Sequence, residues 1–244
     1  MMRKLLLLLC LLSPLTWGNE QDARSLGELS SHSRLLCASA MVYFNPQERE
    51  SARCALSATF YHLNTLSRLV VQLGNPEALQ SPVQTMERLF KTLDGLPHDQ
   101  APRSPELVGQ LLEQERRLEQ AAQTLSAGMK QDPAGDPGAP FNAQSQALAS
   151  LLLDYQLRAY PLPNKLDFAL PEAQASRLDA DIEQRFDQLL ADHPDHADVL
   201  GKARTNYRFV RAQLQQGGDR THGGAEFYLS RAVVDLDELA VTLS

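Results

Sequence analysis

Apolar residues recur along most of this 244-residue chain at spacings that alternate between three and four. Such spacing places them on one face of an α-helix, because the helix completes a turn every 3.6 residues. The pattern occurs in about eight segments separated by prolines and glycines, residues that commonly begin or end helices. Aromatic residues, which favour strands, make up only 6% of the chain. The sequence therefore predicts an all-α protein of about eight helices packed in helical bundles.

The clearest apolar stripes lie in the last three predicted helices. The inward positions are Ala175, Leu178, Ile182, Phe186 and Leu189 in the first of them, Leu200, Ala203, Tyr207, Val210 and Leu214 in the next, and Ala225, Leu229, Ala232, Leu236 and Leu239 in the last. A further helix is predicted over about residues 143–160. Single stripes of this kind are typical of helices that pack almost parallel to one another. Residues 142–244 are thus predicted to form a C-terminal four-helix bundle.

A stretch rich in proline and glycine divides the chain at residues 130–141, and it cannot sustain a helix or a strand. It is predicted to be a linker after an N-terminal helical region, residues 19–129. Two arrangements stay open at this point. The halves form two four-helix bundles in tandem, or they share a core in one elongated bundle. The halves show no convincing residue match, so a duplication is only a hypothesis.

The N-terminal segment has the order of a bacterial secretory signal. Arg3 and Lys4 precede a leucine-rich run, and Thr16 and Gly18 provide small side chains at the positions that signal peptidase requires. Residues 1–18 are therefore predicted to be a signal peptide, and the mature protein is expected to be periplasmic or secreted. Cys10 lies in the run, but Leu9 precedes it where a lipoprotein signal has a small residue.

The charge of the chain argues against two classes of partner. The formal net charge is −7, and cleavage of the signal peptide would remove two further positive charges. A negatively charged surface does not favour nucleic acid or an anionic membrane. No later segment has the roughly 20 apolar residues of a membrane-spanning helix. The sequence predicts no integral membrane segment after cleavage.

Two cysteines remain after cleavage, and an even number in an oxidising compartment suggests a disulfide. Asn45 and Pro46 mark the end of one helix and the start of another. If the chain folds back there as a helical hairpin, Cys37 and Cys54 lie equally far from the bend. The sequence predicts a structural disulfide between them, since the spacing of a redox-active pair is absent.

Arginines at spacings of four and three make a candidate ligand site on the seventh predicted helix. Arg204, Arg208 and Arg211 share one flank, and Arg231 on the eighth helix is expected beside them. Guanidinium groups bind carboxylates and phosphates, so these residues predict a site for a small anionic ligand or an acidic partner. The alternative is ion pairing with acidic residues of the eighth helix, namely Asp235, Asp237 and Glu238.

Histidines suggest two candidate metal sites. His193 and His196 flank Pro194 and Asp195 at a helix joint, and imidazole is a ligand for Zn²⁺ and Cu²⁺. The alternative there is an ordinary helix cap and turn. In the N-terminal hairpin, the register that aligns the cysteines places His32 opposite Thr59, one turn from His62. A two-histidine site and solvated histidines both stay open in that hairpin.

No catalytic signature that can be tested from sequence is present, and no cofactor motif is found. The favoured prediction is an exported, non-enzymatic helical-bundle protein that needs no cofactor and binds a protein partner or a small ligand. One alternative is a periplasmic metal-binding protein that uses His193 and His196. Another is an enzyme without a recognisable motif, with carboxylates among Asp179, Asp181 and Glu183.

Overall fold

The computed structural model describes residues 14–45, 52–129, 136–163, 167–216 and 223–243. Within these ranges the chain forms eight α-helices and no strand, which confirms the predicted all-α class. The helices are α1 (Pro14–Tyr43), α2 (Ala52–Gln72), α3 (Glu77–Asp94), α4 (Ser104–Ala127), α5 (Ala139–Ala159), α6 (Glu172–Asp192), α7 (Ala197–Gln216) and α8 (Gly223–Thr242). None of the helices in the described part has a long enough apolar stretch to cross a bilayer.

Helix α1 lies at the centre of the molecule. It packs most closely against α2 and α5, and it also contacts α4 and α8. Every residue from Arg24 to Val42 is buried except Glu28 and Arg34, which are partly exposed. Small side chains make this close packing possible, since a Cβ atom at Gly27 would lie only 3.0 Å from the side chain of Asn142 in α5. A helix buried on all sides does not need the single apolar stripe of a surface helix.

The buried apolar side chains form two cores that meet at α1. The first core joins α1 to α2, α3 and α4, and Leu157 and Tyr160 at the end of α5 complete it. The second core joins α5, α6, α7 and α8, and α1 contributes Leu35 and Ala38 to it. All the predicted inward residues of α6, α7 and α8 except Ala175 lie in or against this second core. Because α1 is part of both cores, the two halves of the chain are not packed independently.

Most helix ends lie close to the predicted breakers. Gly74 and Asn75 both adopt positive φ angles, of 82° and 57°, and so end α2 in the left-handed conformation. Pro82 lies inside α3 and does not mark a helix start. The helix begins at Glu77 after Pro76, where the fixed φ of proline is compatible with a helix start.

Several predicted segments fall partly or wholly outside the described residues. These are the greater part of the signal peptide, residues 1–13, the bend after Asn45, residues 46–51, and the first half of the linker, residues 130–135. The second half of the predicted linker is described. Asp136 precedes a turn at Pro137 and Gly138, and α5 begins at Ala139.

Gly138 permits a close approach between the start of α5 and the end of α8. A Cβ atom at this position would overlap the carbonyl oxygen of Ala240 and lie 3.0 Å from Cδ of Arg24. We expect Gly138→Ala to lower the free energy of unfolding by about 1–2 kcal/mol, because a backbone carbonyl must move to accept the methyl group. Urea denaturation followed by circular dichroism measures this change.

Gly201 provides the matched control for that substitution. It lies inside α7, and no atom of the described residues would lie within 4 Å of an added Cβ atom. Gly201→Ala is expected to raise the free energy of unfolding by about 0.5–1 kcal/mol, because alanine loses less conformational entropy in a helix. Equal effects of the two substitutions would show that the contact with Ala240 is unimportant.

Candidate functional site

The predicted basic stripe of α7 is paired with acidic residues of α6. The Nη2 atom of Arg204 lies 2.9 Å from Oε2 of Glu183 and 2.6 Å from Oδ1 of Asp187. Arg208 binds Glu183 through two hydrogen bonds, of 2.9 Å from Nε and 2.8 Å from Nη2. The hydrogen bonds from Arg208, and then those from Arg204, lower the pKa of Glu183 to about 2. The carboxylate therefore stays ionised and compensates both guanidinium charges.

Asp179 receives the third arginine of the stripe. The Nη2 atom of Arg211 donates to its Oδ2 at 2.7 Å, and the amide of Gln215 donates to the same oxygen at 2.9 Å. The hydroxyl of Tyr207 donates to Oδ1. Burial by itself would raise the pKa of Asp179, but the hydrogen bonds outweigh burial and lower it. This carboxylate is thus the meeting point of three donors from α7.

The counter-ions of the stripe differ from those predicted. The sequence suggested that the arginines pair with Asp235, Asp237 and Glu238 of α8. In the structure, their ion-pair partners are acidic residues of α6. The reason is the short turn at Pro194–His196, which brings the polar flanks of α6 and α7 together. Arg231 stands apart on α8, where its charge acts on Asp235. A ligand at this stripe would have to displace carboxylates that already hold the guanidinium groups.

The acidic residues considered for an enzyme are placed by the same contacts. Asp179 and Glu183 are ion-pair partners of α7, while Asp181 is exposed on the other side of α6. A general acid or base needs access to a substrate proton. Asp179 and Glu183 are each held by two or more hydrogen-bond donors, so they are poorly placed to accept or donate a substrate proton. The geometry of these residues does not support the enzyme alternative.

His193 and His196 lie at the joint between α6 and α7. The amide of His193 ends α6 with a hydrogen bond to Leu189, and its ring packs against Phe141 at a centroid distance of 4.7 Å. His196 ends the short turn that begins at Pro194. Among the residues that the structure describes, no three histidine, cysteine or carboxylate side chains are arranged to hold a metal ion. A metal site at this joint stays a prediction.

The predicted disulfide is not formed, because Cys37 and Cys54 are both free thiols. Cys37 is fully buried in the first core, whereas Cys54 is exposed. The cause is the register of α1 against α2. The structure pairs His32 with His62, while a bridged hairpin would pair His32 with Thr59. This shift of three residues, about 4.5 Å along the helix, moves Cys54 away from Cys37.

A layer of polar side chains is buried where α1, α2, α5 and α8 meet. The Nδ1 atoms of His32 and His62 lie 3.1 Å apart. The Nε2 atom of His32 lies 3.8 Å from Oδ2 of Asp237. Ser145 lies 2.5 Å from Oδ1 of that aspartate and 2.9 Å from the hydroxyl of Ser31. We call these five residues the histidine layer. All five are less than 5% exposed.

Burial determines the charge states in the histidine layer. It lowers the pKa of His32 to about 3 and holds that of His62 well below its usual range, so both imidazoles are neutral. Burial also raises the pKa of Asp237 well above its ordinary value, although the hydrogen bond from Ser145 opposes this. Two buried atoms of this layer, Nε2 of His62 and Oδ2 of Asp237, have no hydrogen-bond partner among the residues that the structure describes. Unsatisfied buried polar atoms are uncommon and require an explanation.

A cleft opens one helical turn from the histidine layer, between α1, α2 and α8. Its volume is about 510 Å³, within the range of small-molecule sites. The lining residues are Glu20, Gln21, Arg24, Ser25, Glu28, Arg68, Gln72 and Val241. We call this the arginine cleft. A smaller cleft of about 280 Å³ lies between α5, α6 and α7. Its lining includes three acidic residues, of which Asp154 is bound by Arg158 and by the amide of Leu170.

Polar contacts hold the walls of the arginine cleft in place. Arg68 donates to Oε1 of Glu28 at 2.9 Å, and Gln72 donates to the hydroxyl of Ser25 at 3.0 Å. Arg24 lies 3.4 Å from Asp136 at the start of α5. Burial raises the pKa of Glu28, although Arg68 opposes this. The cleft therefore has cationic and hydrogen-bonding groups on a preformed frame.

A third polar cluster joins α1 to α4. Arg34 lies 2.9 Å from Glu119 and 3.9 Å from Glu115. Burial raises the pKa of Glu115 to about 7, and the charge of Glu119 adds to the effect, whereas Arg34 and Arg116 oppose it. Burial, and then the charge of the same carboxyl, raise the pKa of the Cys37 thiol. Glu115 is thus protonated in the folded protein at pH values where an exposed glutamate is ionised.

The raised pKa of Glu115 predicts how stability depends on pH. Its contribution is complete below pH 4.5 and is lost as the pH rises from 4.5 through about 7, because the unfolded chain then binds fewer protons. Glu115→Gln, which is neutral at every pH, should remove a loss on the order of 3 kcal/mol over that interval. Urea denaturation at several pH values measures it. An unchanged pH profile in the variant would contradict the assignment.

Exposed aromatic residues gather at one end of α7 and α8. Phe209 is 70% exposed and Phe227 is 55% exposed, and the ring of Tyr228 contacts both, at centroid distances of 4.7 and 5.3 Å. Exposed apolar patches are a common property of partner-binding surfaces. The predicted protein partner stays a prediction, because nothing in the structure identifies what would cover this patch.

The predicted hairpin placed His32 within one helical turn of His62. The sequence did not indicate that Asp237, Ser145 and Ser31 lie beside them. Asp237 lies on the apolar stripe of α8, four residues after Val233 and three before Ala240. A charged residue at an inward position is a signal that could have found it. Ser145 on α5 gives no such signal, because serine is common on exposed helix faces as well.

The arginine cleft and the histidine layer are two arrangements, within the described part of the chain, that bring polar groups together. Comparisons with protein families, with curated proteins and with solved structures find no match to this chain.

Proposed function

We propose that this chain is an exported, non-enzymatic binding protein that takes a small anionic ligand in the arginine cleft. The observation that supports the proposal is a preformed cleft of about 510 Å³ lined by the exposed Arg68 and by Arg24, which is buried and paired with Asp136. Export is proposed from Arg3, Lys4 and the leucine-rich run that follows them. The proposal keeps the anionic ligand that the sequence predicted, but it places the ligand at different arginines.

Arg68 is the residue best placed to bind the ligand. Its side chain is 58% exposed, so an incoming carboxylate or phosphate can reach the guanidinium. Glu28 now occupies one edge of that group. Because burial raises the pKa of Glu28, protonation of this carboxyl costs less than for an exposed one, and a protonated Glu28 releases Arg68. Val241, 54% exposed, offers an apolar surface to the rest of the ligand.

Calorimetric titration with succinate and with inorganic phosphate tests this proposal. We expect saturable binding of at least one of these anions, and we expect Arg68→Gln to weaken it about 10- to 100-fold. The estimate follows from the 1.5–3 kcal/mol or so that a hydrogen bond to a charged group contributes. Binding of succinate should also strengthen as the pH falls, because burial raises the pKa of Glu28 and a protonated Glu28 releases Arg68.

Arg208→Gln is the matched control, since Arg208 is also bound to a glutamate on a neighbouring helix and is 54% exposed. It lies outside the cleft and should leave the affinity unchanged. Equal weakening by the two substitutions would indicate a general charge effect. That result, or no saturable binding of either anion by the wild-type protein, would refute the proposed site.

A further inference from the structure

We propose that the ligand of the arginine cleft is an acidic α-amino acid, an anion that also carries an ammonium group. Arg68 binds its α-carboxylate, and Glu28 binds its ammonium group. This inference rests on the proposed function, because it names the chemical class of the anion that the cleft takes. It adds a second requirement, a positive charge on the ligand, which the proposed function does not contain.

The lining of the arginine cleft contains acidic as well as basic side chains. Arg24 and Arg68 are accompanied by Glu20 and Glu28. Glu20, Arg24 and Glu28 follow one another at a spacing of four on α1, so they lie on one face of that helix, about 6 Å apart along its axis. Negative and positive groups therefore alternate along this wall of the cleft. A ligand that carries both signs of charge matches the arrangement better than a simple anion does.

A simple anion at Arg68 must compete with Glu28 for the guanidinium group. The Nη2 atom of Arg68 donates to Oε1 of Glu28 at 2.9 Å. The side chain of Arg68 is 58% exposed, whereas that of Glu28 is only 17% exposed. An incoming carboxylate thus leaves Glu28 without its cation in a largely buried position, which is unfavourable for an ionised carboxyl. Burial raises the pKa of Glu28 and Arg68 opposes this, so the ionised form depends on the arginine.

An ammonium group on the ligand provides the cation that Glu28 loses. In an α-amino acid the ammonium group and the carboxylate are attached to the same carbon atom. The ammonium group therefore lies beside Glu28 when the carboxylate binds Arg68, because the two side chains are in contact. One ion pair within the protein is exchanged for two between the protein and the ligand. Every charge at this point of the cleft then has a partner of the opposite sign.

The rest of the lining favours a second carboxylate on the ligand. Arg24 lies one helical turn from Glu28 along α1. Its contact with Asp136 is 3.4 Å long, compared with the usual range of about 2.7–3.2 Å for such hydrogen bonds. The side-chain amides of Gln21 and Gln72 also line the cleft and can donate hydrogen bonds. An acidic amino acid is therefore expected to bind more tightly than a neutral one.

Calorimetric titrations with glutamate and with glutarate at pH 7 test the inference. The two compounds have the same chain length and the same two carboxylates, and they differ only in the α-ammonium group. We expect the wild-type protein to bind glutamate about tenfold more tightly, which corresponds to one additional hydrogen bond between charged groups. Binding of glutarate that is as tight as that of glutamate would overturn the inference and leave the proposed function in place. Absence of binding of glutamate, glutarate, succinate and phosphate alike would refute both.

Glu28→Gln tests the residue that is named as the partner of the ammonium group. The amide keeps the size of the side chain but not its charge, so the ratio of the two affinities should fall from about ten to about one. Glu183→Gln is the matched control, because Glu183 is 15% exposed, is bound by an arginine that is 54% exposed, and lies outside the cleft. Its ratio should stay at about ten.

A tenfold preference for glutamate that persists in Glu28→Gln would overturn the assignment. A loss of the preference in both variants would overturn it as well, because the effect would then follow from the net charge of the protein. Circular dichroism identifies a variant that fails to fold. In that case the comparison of glutamate with glutarate on the wild-type protein decides.

Discussion

A fragment of residues 136–244 should fail to fold as a cooperative unit, although its sequence predicts a complete four-helix bundle. The second core includes Leu35 and Ala38 of α1, which the fragment lacks. Without α1, the apolar faces of α5 and α8 that pack against it would be exposed to water. The expected result is a broad thermal transition, or none, by circular dichroism.

Buried carboxyl groups add to this expectation. Glu226 in α8 accepts a hydrogen bond of 2.7 Å from Ser39 of α1 and is only 3% exposed. Removal of α1 takes away that partner, and a buried polar group without a partner costs about 1–3 kcal/mol. A synthetic peptide of residues 19–45 should restore a cooperative transition when it is added to the fragment. A fragment that unfolds with the midpoint of the full chain would instead establish two independent domains.

Asp179→Ala should be the most destabilising single substitution on the charged surface between α6 and α7, at about 3 kcal/mol. Asp179 is 8% exposed and accepts hydrogen bonds from Arg211, Tyr207 and Gln215. The substitution leaves a guanidinium and a buried hydroxyl without their acceptor. Loss of one partner from a buried ion pair costs about 3–5 kcal/mol, and the partial exposure of Arg211 places the expectation at the lower end.

Asp181→Ala is the matched control, because Asp181 lies two residues away on the same helix and is exposed. Its effect should stay within about 0.5 kcal/mol. Asp179→Asn, which keeps an acceptor oxygen but not the charge, should fall between the two alanine variants. Urea denaturation at pH 7 measures all three. Similar values for Asp179→Ala and Asp181→Ala would show that the hydrogen bonds around Asp179 contribute little.

The helices themselves were predictable because their signals are local. The three-and-four spacing in α6, α7 and α8 identified the residues that face or flank the second core, since a helix repeats every 3.6 residues whatever it packs against. Prolines lie directly before α6 and at the start of the short turn before α7, at positions 171 and 194. Pro82 is different, since it lies inside α3, which begins after Pro76.

The pairing of helices was less predictable, as α1 and α2 illustrate. Symmetry about the bend suggested a register that joins Cys37 to Cys54. The structure instead pairs His32 with His62 and Glu28 with Arg68. A shift of α2 by three residues relative to α1 corresponds to almost one full helical turn. The same face of α2 therefore points toward α1 in either register. Local periodicity cannot distinguish such registers, because the difference lies in contacts between distant segments.

The sequence by itself determined that this chain is helical, where most of its helices end, and that its charge is negative. Tertiary structure decided which helices pack against α1 and which acidic residues form ion pairs with the arginines of α7. It also decided that two histidines and an aspartate are buried next to one another. The physical reason is that helix formation depends on residues three or four positions apart. The polar contacts between helices depend instead on how closely backbones approach, and that distance is set by small side chains such as Gly27 on α1.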